Sequence, residues 1–314
     1  MNLWRLAAAA LFLCVAQGHA AEKLIVGTAS PGAFGFVPAN IGMDKGIFQK
    51  HGLELQITGF EGSAKLHQAM TAGAIDIGLG AGSDLIYPVK GAPELAVADL
   101  ADPPLLLSFV IPWNSPIKTP DDLKGKRIGV STLNSLTQWI ALQLAHEKGW
   151  GPDGVTIVAV GVDGMTPALL TGQVDALVSG TALGLQLAEQ KKGRNLMPAS
   201  DVVKDFMIHA IYASNRIMDS NPDAVRRFLA GWFETIAYMY ANKDDTVELA
   251  HKVDGMPLDV EKQQYDIVMP MFSRDGHFHE SAIKVIQGSY VELHLLDHEP
   301  DLSKYVTEKF LPAR

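Results

Sequence analysis

The chain has few cysteines, few basic residues and few long apolar runs. Cys14 is its only cysteine, so neither a disulfide within the chain nor a cysteine cluster for a metal can form. Lys and Arg number 26 against 35 Asp and Glu, and this net charge of −9 argues against nucleic acid and anionic lipid surfaces as partners. Beyond residue 20 no apolar run reaches the length of a membrane helix, so a soluble protein is expected.

The first 20 residues are predicted to be a secretory signal peptide, cleaved near Ala20. Arg5 precedes the apolar run Leu6–Ala16, and small residues follow it. A lipoprotein would need a small residue just before Cys14, but Leu13 occupies that position. After cleavage the net charge would be about −10. Because Cys14 would be removed with the signal peptide, the mature protein would be exported without any cysteine, which favours the bacterial periplasm.

An alternation of strands, small-residue loops and helices follows, which predicts an α/β fold with mostly parallel sheets flanked by helices. Ligands on such sheets bind outside the carboxyl ends of the strands. We expect one helix over Pro38–Lys50 and the end of another at Lys191–Arg194. The strands predicted before residue 112 are Leu24–Thr28, Leu53–Ile57, Ile75–Leu79, Leu95–Ala98 and Leu105–Ile111.

The stretch Lys118–Trp139 combines a strand, a loop and a capped helix. Arg127–Val130 is the predicted strand, and Ser135 and Gln138 have the spacing of a capping box that begins a helix ending at Gly149. Free amides at such a helix start favour polar or anionic ligand groups. A plain strand-to-helix turn remains the alternative interpretation.

A near-repeat indicates two equivalent lobes. Met70–Ile77 and Leu169–Ala176 each contain a helix end, a glycine and an aspartate, Asp76 or Asp175, that opens a buried strand. We assign 21–108 plus 207–314 to lobe I and 109–206 to lobe II, with two connections forming a hinge. The strand Met207–Ala213 would return the chain to lobe I, and later helices, one capped by Asn221, would brace that lobe.

Four motifs then carry a resemblance to a known family. They are Gly46–Leu55, Gly73–Ile77, Thr119–Gly129 and Gly172–Ala176. In this order they resemble the periplasmic solute-binding proteins of the nitrate/sulfonate/taurine type, the SsuA/THI5-like group. The resemblance implies a two-lobed type II periplasmic binding protein fold. It also implies a monomer without a cofactor that captures a small solute between its lobes and delivers it to an ABC permease.

Carried over by position, the family's ligand-binding loops fall where the carboxyl ends of the strands are predicted. The candidate ligand-binding residues in these loops are Ser30, Pro31, Gly32, Phe34, Phe60, Glu61, Gly62, Ser63, Gly82, Ser83, Ser131, Asn134, Ser135, Thr137, Asp163, Ser179 and Thr181. No catalytic residue is assigned among them.

The ligand is less constrained than the fold. Backbone amides and hydroxyls in the loops suit a sulfonate, nitrate or carboxylate, but the loops contain no Lys or Arg, and Glu61, Asp84 and Asp163 lie in or beside them. Phe34, Phe60 and Trp113 could stack on a planar ring, whereas packing and helix capping are the alternatives for the aromatic and acidic residues. We therefore favour a neutral or amino-bearing heterocycle, such as a pyrimidine precursor, over a simple sulfonate.

Three other functions are weighed against transport. His277–Glu280 and His294–His298 offer potential metal ligands, but solvated surface histidines are the simpler interpretation and no metal site is assigned. An enzyme of the THI5-like or menaquinone-synthesis type is disfavoured by the signal peptide and, for the THI5 type, by the missing cysteine cluster. A periplasmic sensor module remains open.

Overall fold

A computed structural model describes residues 21–133, 135–151 and 153–313, which form two five-stranded sheets flanked by helices. The proposed signal peptide and Asn134 lie outside these residues. Within the described part of the chain, no helix is both long and apolar enough to cross a membrane.

The strands are short and largely buried. In chain order they are β1 Glu22–Thr28, β2 Leu53–Gly59, β3 Ile77–Ala81, β4 Glu94–Ala101, β5 Leu107–Pro112, β6 Arg127–Val130, β7 Thr156–Ala159, β8 Ala176–Gly180, β9 Gly193–Pro198 and β10 His209–Ser214. The helices are α1 Val37–Asp44, α2 Ile47–Lys50, α3 Ser63–Thr71, α4 Ile86–Val89, α5 Leu136–Glu147, α6 Met165–Leu170, α7 Thr181–Glu189, α8 Asn215–Ser220, α9 Pro222–Ala241, α10 Lys243–Asp254, α11 Leu258–Val268 and α12 Glu280–Glu292.

The two sheets share one topology. Their strand orders are β2-β1-β3-β10-β4 and β7-β6-β8-β5-β9. In each sheet one strand runs against the other four: β10 in the first and β5 in the second. These are the strands that follow the two crossovers between the sheets, residues 102–106 and 199–208. The predicted fold, mostly parallel sheets flanked by helices, is confirmed.

The near-repeat occupies equivalent positions in the two sheets. Asp76, just before β3, accepts a hydrogen bond from the Ile25 amide of β1 at 2.9 Å and pairs with Arg216 at 2.6 Å. Asp175, just before β8, accepts from the Arg127 amide of β6 at 2.9 Å and pairs with the Arg127 guanidinium at 2.8 Å. Each aspartate thus ties two neighbouring parallel strands together at their amino ends.

Helix α9 anchors the carboxyl-terminal helices to the first sheet. The Asn221 side chain accepts from the Ala224 amide at 3.1 Å, which satisfies a free donor of the first turn, and Pro222 takes the first helical position. Phe228 and Trp232 are fully buried, and Phe228 stacks on Phe48 of α2 at 5.5 Å. Burying each such side chain contributes about 1.5 to 3 kcal/mol.

The structure corrects two sequence predictions of local structure. The helix expected over Pro38–Lys50 is divided into α1 and α2 because Gly46 takes a left-handed conformation, with φ of 65°. The helix expected to close at Lys191–Arg194 is α7, which ends slightly earlier, at Glu189. The Lys191 and Lys192 amides cap its last turn on the Ala188 and Leu187 carbonyls, and Gly193 and Arg194 already belong to β9. This strand lies at the edge of its sheet and pairs only with β5. Its residues Arg194, Asn195 and Leu196 are half-exposed and do not form the apolar run that would have indicated a strand.

Candidate functional site

A cleft of about 380 Å³ lies between the two sheets, at the carboxyl ends of their parallel strands. The loop after β1, the end of β3, the start of α5 and the end of β8 contribute to its walls. Both crossovers reach it, through Leu106 and Leu107 on one side and Ile208 and His209 on the other. Its apolar and small lining residues are Gly32, Ala33, Phe34, Ala81, Leu106, Leu107, Leu136, Gly180, Ala182, Ile208 and Met256.

The polar lining residues are few and come from separate elements. They are Ser30, Thr137, His209, Asp254 and Gln264. An apolar cavity with a few separated polar groups is the usual form of a small-molecule site. None of the described lining residues is Lys or Arg, and Asp254 is the only carboxylate among them.

A cluster of hydroxyl groups holds the start of α5 against the cleft. The Thr137 hydroxyl accepts from the Ser131 amide at 3.0 Å and lies 3.0 Å from the Ser131 hydroxyl and 2.9 Å from the Ser135 hydroxyl. Ser135 caps the helix by accepting from the Gln138 amide at 3.3 Å and also donates to the Thr132 carbonyl at 2.7 Å. The predicted capping role of Ser135 is therefore present, and Thr137 is the member that reaches the cleft.

Replacing Ser135 by Ala is expected to lower the free energy of unfolding by about 1 kcal/mol, because α5 loses its cap. Urea denaturation measures this change. Ser63→Ala is the matched control. Ser63 is the first residue of α3, and the N-cap position of that helix is occupied by Gly62, so this substitution removes no serine cap. Equal stability losses in the two variants would contradict the capping role.

Asp254 enters the cleft from the turn between α10 and α11. Its Oδ1 accepts from the Met256 amide at 2.9 Å, and the left-handed Gly255, with φ of 73°, forms the turn. Glu261 lies behind it with no exposed surface, and Gln264 donates to Glu261 at 3.2 Å. Burial, reinforced by hydrogen bonding and repulsion from Asp254, raises the pKa of Glu261 to about 9. Glu261 is thus uncharged at neutral pH.

His209 adds no positive charge to the cleft. Its ring packs against Phe36 with centroids 4.6 Å apart, and its Nδ1 is buried without a hydrogen-bond partner among the described residues. Burial lowers the pKa of His209 to about 4, against a smaller opposing effect of Asp84. His209 is therefore neutral near neutral pH and cannot offset the Asp254 carboxylate.

A buried ionic group fixes the β3 wall. His67 of α3 lies 2.5 Å from a Glu94 oxygen and 3.1 Å from Asp84 Oδ2. The same Asp84 oxygen accepts from the Ala81 amide at 2.8 Å, and the Tyr212 hydroxyl donates to the Ala81 carbonyl at 2.7 Å. The amide and the carbonyl of Ala81 are therefore both hydrogen-bonded to buried side chains.

The predicted site residues divide into three groups. Ser30, Gly32, Phe34 and Thr137 line the cleft, and the loops of Gly82 and Ser179 reach it through their neighbours Ala81 and Gly180. A second group does not line the cleft itself. Its members are Pro31, which lines a separate cavity of about 130 Å³, and Phe60, Gly62, Ser63, Gly82, Ser83, Ser131, Ser135, Ser179 and Thr181.

Several members of this second group have evident structural contacts. The Thr181 hydroxyl donates to the Leu105 carbonyl at 2.8 Å and lies 2.8 Å from the Ser108 hydroxyl, which joins α7 to the first crossover. The Ser83 carbonyl accepts from the Tyr290 hydroxyl at 2.8 Å. A Cβ at position 82 would lie 2.0 Å from the Met207 carbonyl oxygen, so glycine permits this close approach to the second crossover.

The third group is exposed and does not line the cleft. Glu61 is exposed and pairs with Lys65 at 2.7 Å, and Asp163 is also exposed. Trp113, considered as a stacking residue, follows β5 and bonds to the Lys192 carbonyl just before β9. Because β5 runs against its neighbours, its carboxyl end lies at the opposite edge of the sheet, so the stacking interpretation of Trp113 is wrong.

The carboxyl-terminal helices also contribute to the cleft, which the sequence did not indicate. Asp254, Met256 and Gln264 line the cleft, although these helices were expected only to brace lobe I. The Gly255 turn followed by Pro257 indicates a junction between helices, but no sequence signal showed that this junction faces the strand ends.

The two sheets, two crossovers and intervening cleft define a protein of the periplasmic binding protein fold. The model of the NMT1/THI5-like family matches residues 34–246, and the chain belongs to this family. The sequence-based recognition is therefore confirmed.

Individual relatives agree with this assignment. A candidate binding protein of Brucella abortus strain 2308 is 28% identical over 226 residues, covering 70% of this chain and 69% of its own. The riboflavin-binding protein RibY of Chloroflexus aurantiacus is 24% identical, covering 68% of this chain and 62% of its own. The periplasmic aliphatic sulphonate binding protein SsuA from Escherichia coli superposes with a TM-score of 0.78 at 20% identity, covering 91% of this chain and 92% of its own.

The fold also occurs in an enzyme. The desulfurization enzyme DszB superposes with a TM-score of 0.64 at 15% identity, covering 92% of this chain and 97% of its own. Fold similarity at this level does not assign a ligand or a reaction.

Proposed function

We propose that this protein is a periplasmic solute-binding protein that captures a small, amino-bearing heterocycle and delivers it to an ABC importer. Lobe I would comprise 21–108 and 207–314, lobe II 109–206, and the two crossovers would act as the hinge. Closure around the solute would present the bound form to the permease, and no catalytic step is required.

The observation that carries the proposal is the charge of the cleft. Asp254 is its only carboxylate, His209 is neutral, and no Lys or Arg is present among the described lining residues. An amino group can donate to Asp254, whereas an anion would be desolvated beside that carboxylate without a compensating cation. Phe34 and the leucines of the cleft offer apolar surface for a ring.

Mass spectrometry of the solute that co-purifies with the protein, followed by calorimetric titration, tests this proposal. The matched probes are 4-aminopyrimidine, pyrimidine without the amino group, and taurine. We expect the amino compound to bind at least about tenfold more tightly than pyrimidine, since a hydrogen bond to a charged group contributes about 1.5 to 3 kcal/mol. Tight taurine binding without aminopyrimidine binding would overturn the ligand class.

A sulfonate is the second candidate because one local feature favours it. The amino end of α5 presents Thr137 to the cleft, and helix amino ends attract anions. The hydroxyl of Thr137 is, however, already engaged with Ser131 and Ser135. We therefore place the sulfonate second.

A further inference from the structure

A second polar site lies outside the cleft, where β4 meets the first crossover and the start of α12. Asp99 of β4, Asp102 just after β4 and His279, the N-cap residue of α12, approach one another there. One ligand atom from each lies within 4.8 Å of the others, and His279 Nε2 is 3.9 Å from Asp102 Oδ2.

Asp99 is the most unusual member of this group. It has no exposed surface, and neither carboxylate oxygen has a hydrogen-bond partner among the described residues. A buried carboxylate needs a proton or a cation for compensation, and a cation could bind Asp99 and Asp102 together.

A cavity of about 200 Å³ adjoins the group. Asp102, Lys204, Asp205 and His279 contribute to its lining, so both crossovers meet there. Asp275 adds negative charge near Asp99, and Asp205 adds negative charge near Asp102. Lys204 is the basic residue among those that line the cavity. The cavity gives a metal ion access from solvent and leaves room for water ligands.

We propose that Asp99, Asp102 and His279 bind a divalent transition-metal ion, with Zn²⁺ as the best match, and that water completes its coordination. One imidazole and two carboxylates suit Zn²⁺ better than Ca²⁺ or Mg²⁺, which prefer oxygen ligands alone. Bonds of about 2.0 to 2.2 Å require ligand atoms roughly 3.5 Å apart. The His279 side chain, 63% exposed, is free to move the remaining distance.

The sequence offered His279 as a potential ligand within His277–Glu280, but no metal site was assigned there, and Asp99 and Asp102 were not considered. His277, two residues earlier, has a different environment: its Nδ1 lies 2.8 Å from Glu308. It therefore serves as a matched control for non-specific binding of zinc to exposed histidine.

Zinc uptake by the EDTA-treated, dialysed protein tests the site. We expect one Zn²⁺ per chain by elemental analysis and calorimetry, a higher melting temperature with Zn²⁺, and at least about tenfold weaker binding of Ca²⁺. His279→Ala and Asp99→Asn should each weaken zinc binding at least about tenfold, while His277→Ala should leave it unchanged.

His279→Ala keeps the test decisive even if Asp99→Asn fails to fold, because His279 is on the surface. Absence of stoichiometric zinc uptake would overturn the proposal. Equal zinc affinity in His279→Ala and the unaltered protein, or equal affinity for Zn²⁺ and Ca²⁺, would also overturn it, since His279 would then not be a ligand. None of these outcomes depends on the solute bound in the cleft.

Discussion

Replacing His67 by Ala is expected to lower the free energy of unfolding at pH 7 by about 3 to 5 kcal/mol. The imidazole is 1% exposed and lies between Asp84 and Glu94, whose side chains are 7% and 0% exposed. Without it, two buried carboxylates face each other with no cation between them. Urea denaturation of the variant and the unaltered protein measures the loss.

The loss should depend on pH. Burial disfavours the charged imidazolium, but hydrogen bonds and attraction from Asp84 and Glu94 outweigh this and raise the pKa of His67 from 6.5 to about 9. The stabilisation is therefore complete below pH 6.5 and disappears as the pH rises through 9. A shift of this size corresponds to about 3 kcal/mol.

The difference in stability between the variant and the unaltered protein should thus shrink between pH 6.5 and 10. Comparing the two proteins at each pH removes the contribution of Glu261, whose raised pKa also makes stability fall over part of this range. His67→Phe retains a ring against Tyr87, whose centroid lies 4.4 Å away, but loses the charge. If His67→Phe were as stable as the unaltered protein, packing rather than ion pairing would explain the effect of His67.

The cleft wall built from strand ends could be predicted from the sequence because its position follows from topology. In parallel strands joined by helices, the loops after β1 and β3 must lie at one edge of the first sheet, and those after β6 and β8 at the corresponding edge of the second. Ser30, Phe34 and Thr137 could therefore be located before the structure was known. The aspartates Asp76 and Asp175 likewise indicated two equivalent sheets, because each opens a strand in the same local motif.

Side-chain direction and long-range packing could not be predicted in this way. Glu61 has the right position along the chain, yet its exposed side chain pairs with Lys65 and does not line the cleft. Trp113 was misplaced because the sequence does not reveal that β5 is antiparallel. Asp254 was missed because its place in the cleft depends on long-range helix packing, of α10 against α1 and of α11 against α7, which the sequence pattern does not reveal.

Asp254→Asn is expected to weaken binding of an amino-bearing solute by about 10- to 100-fold. The variant replaces a charge-assisted hydrogen bond by a neutral one, and a bond to a charged group contributes about 1.5 to 3 kcal/mol. Asparagine retains a side-chain oxygen that can accept from the Met256 amide, so the Gly255 turn should persist. Calorimetric titration with the co-purified solute, or with 4-aminopyrimidine, measures the change.

Glu261→Gln is the matched control for Asp254→Asn. Glutamine is uncharged, as the protonated Glu261 is, and leaves Asp254 in place, so solute affinity should stay within about threefold of the original value. The same change removes a buried acid whose pKa is raised to about 9, so it should also increase stability at pH 7. Equal solute affinity in Asp254→Asn and Glu261→Gln would exclude Asp254 from recognition of the solute, while a weakening confined to Asp254→Asn would identify its charge as the group that selects an amino-bearing ligand.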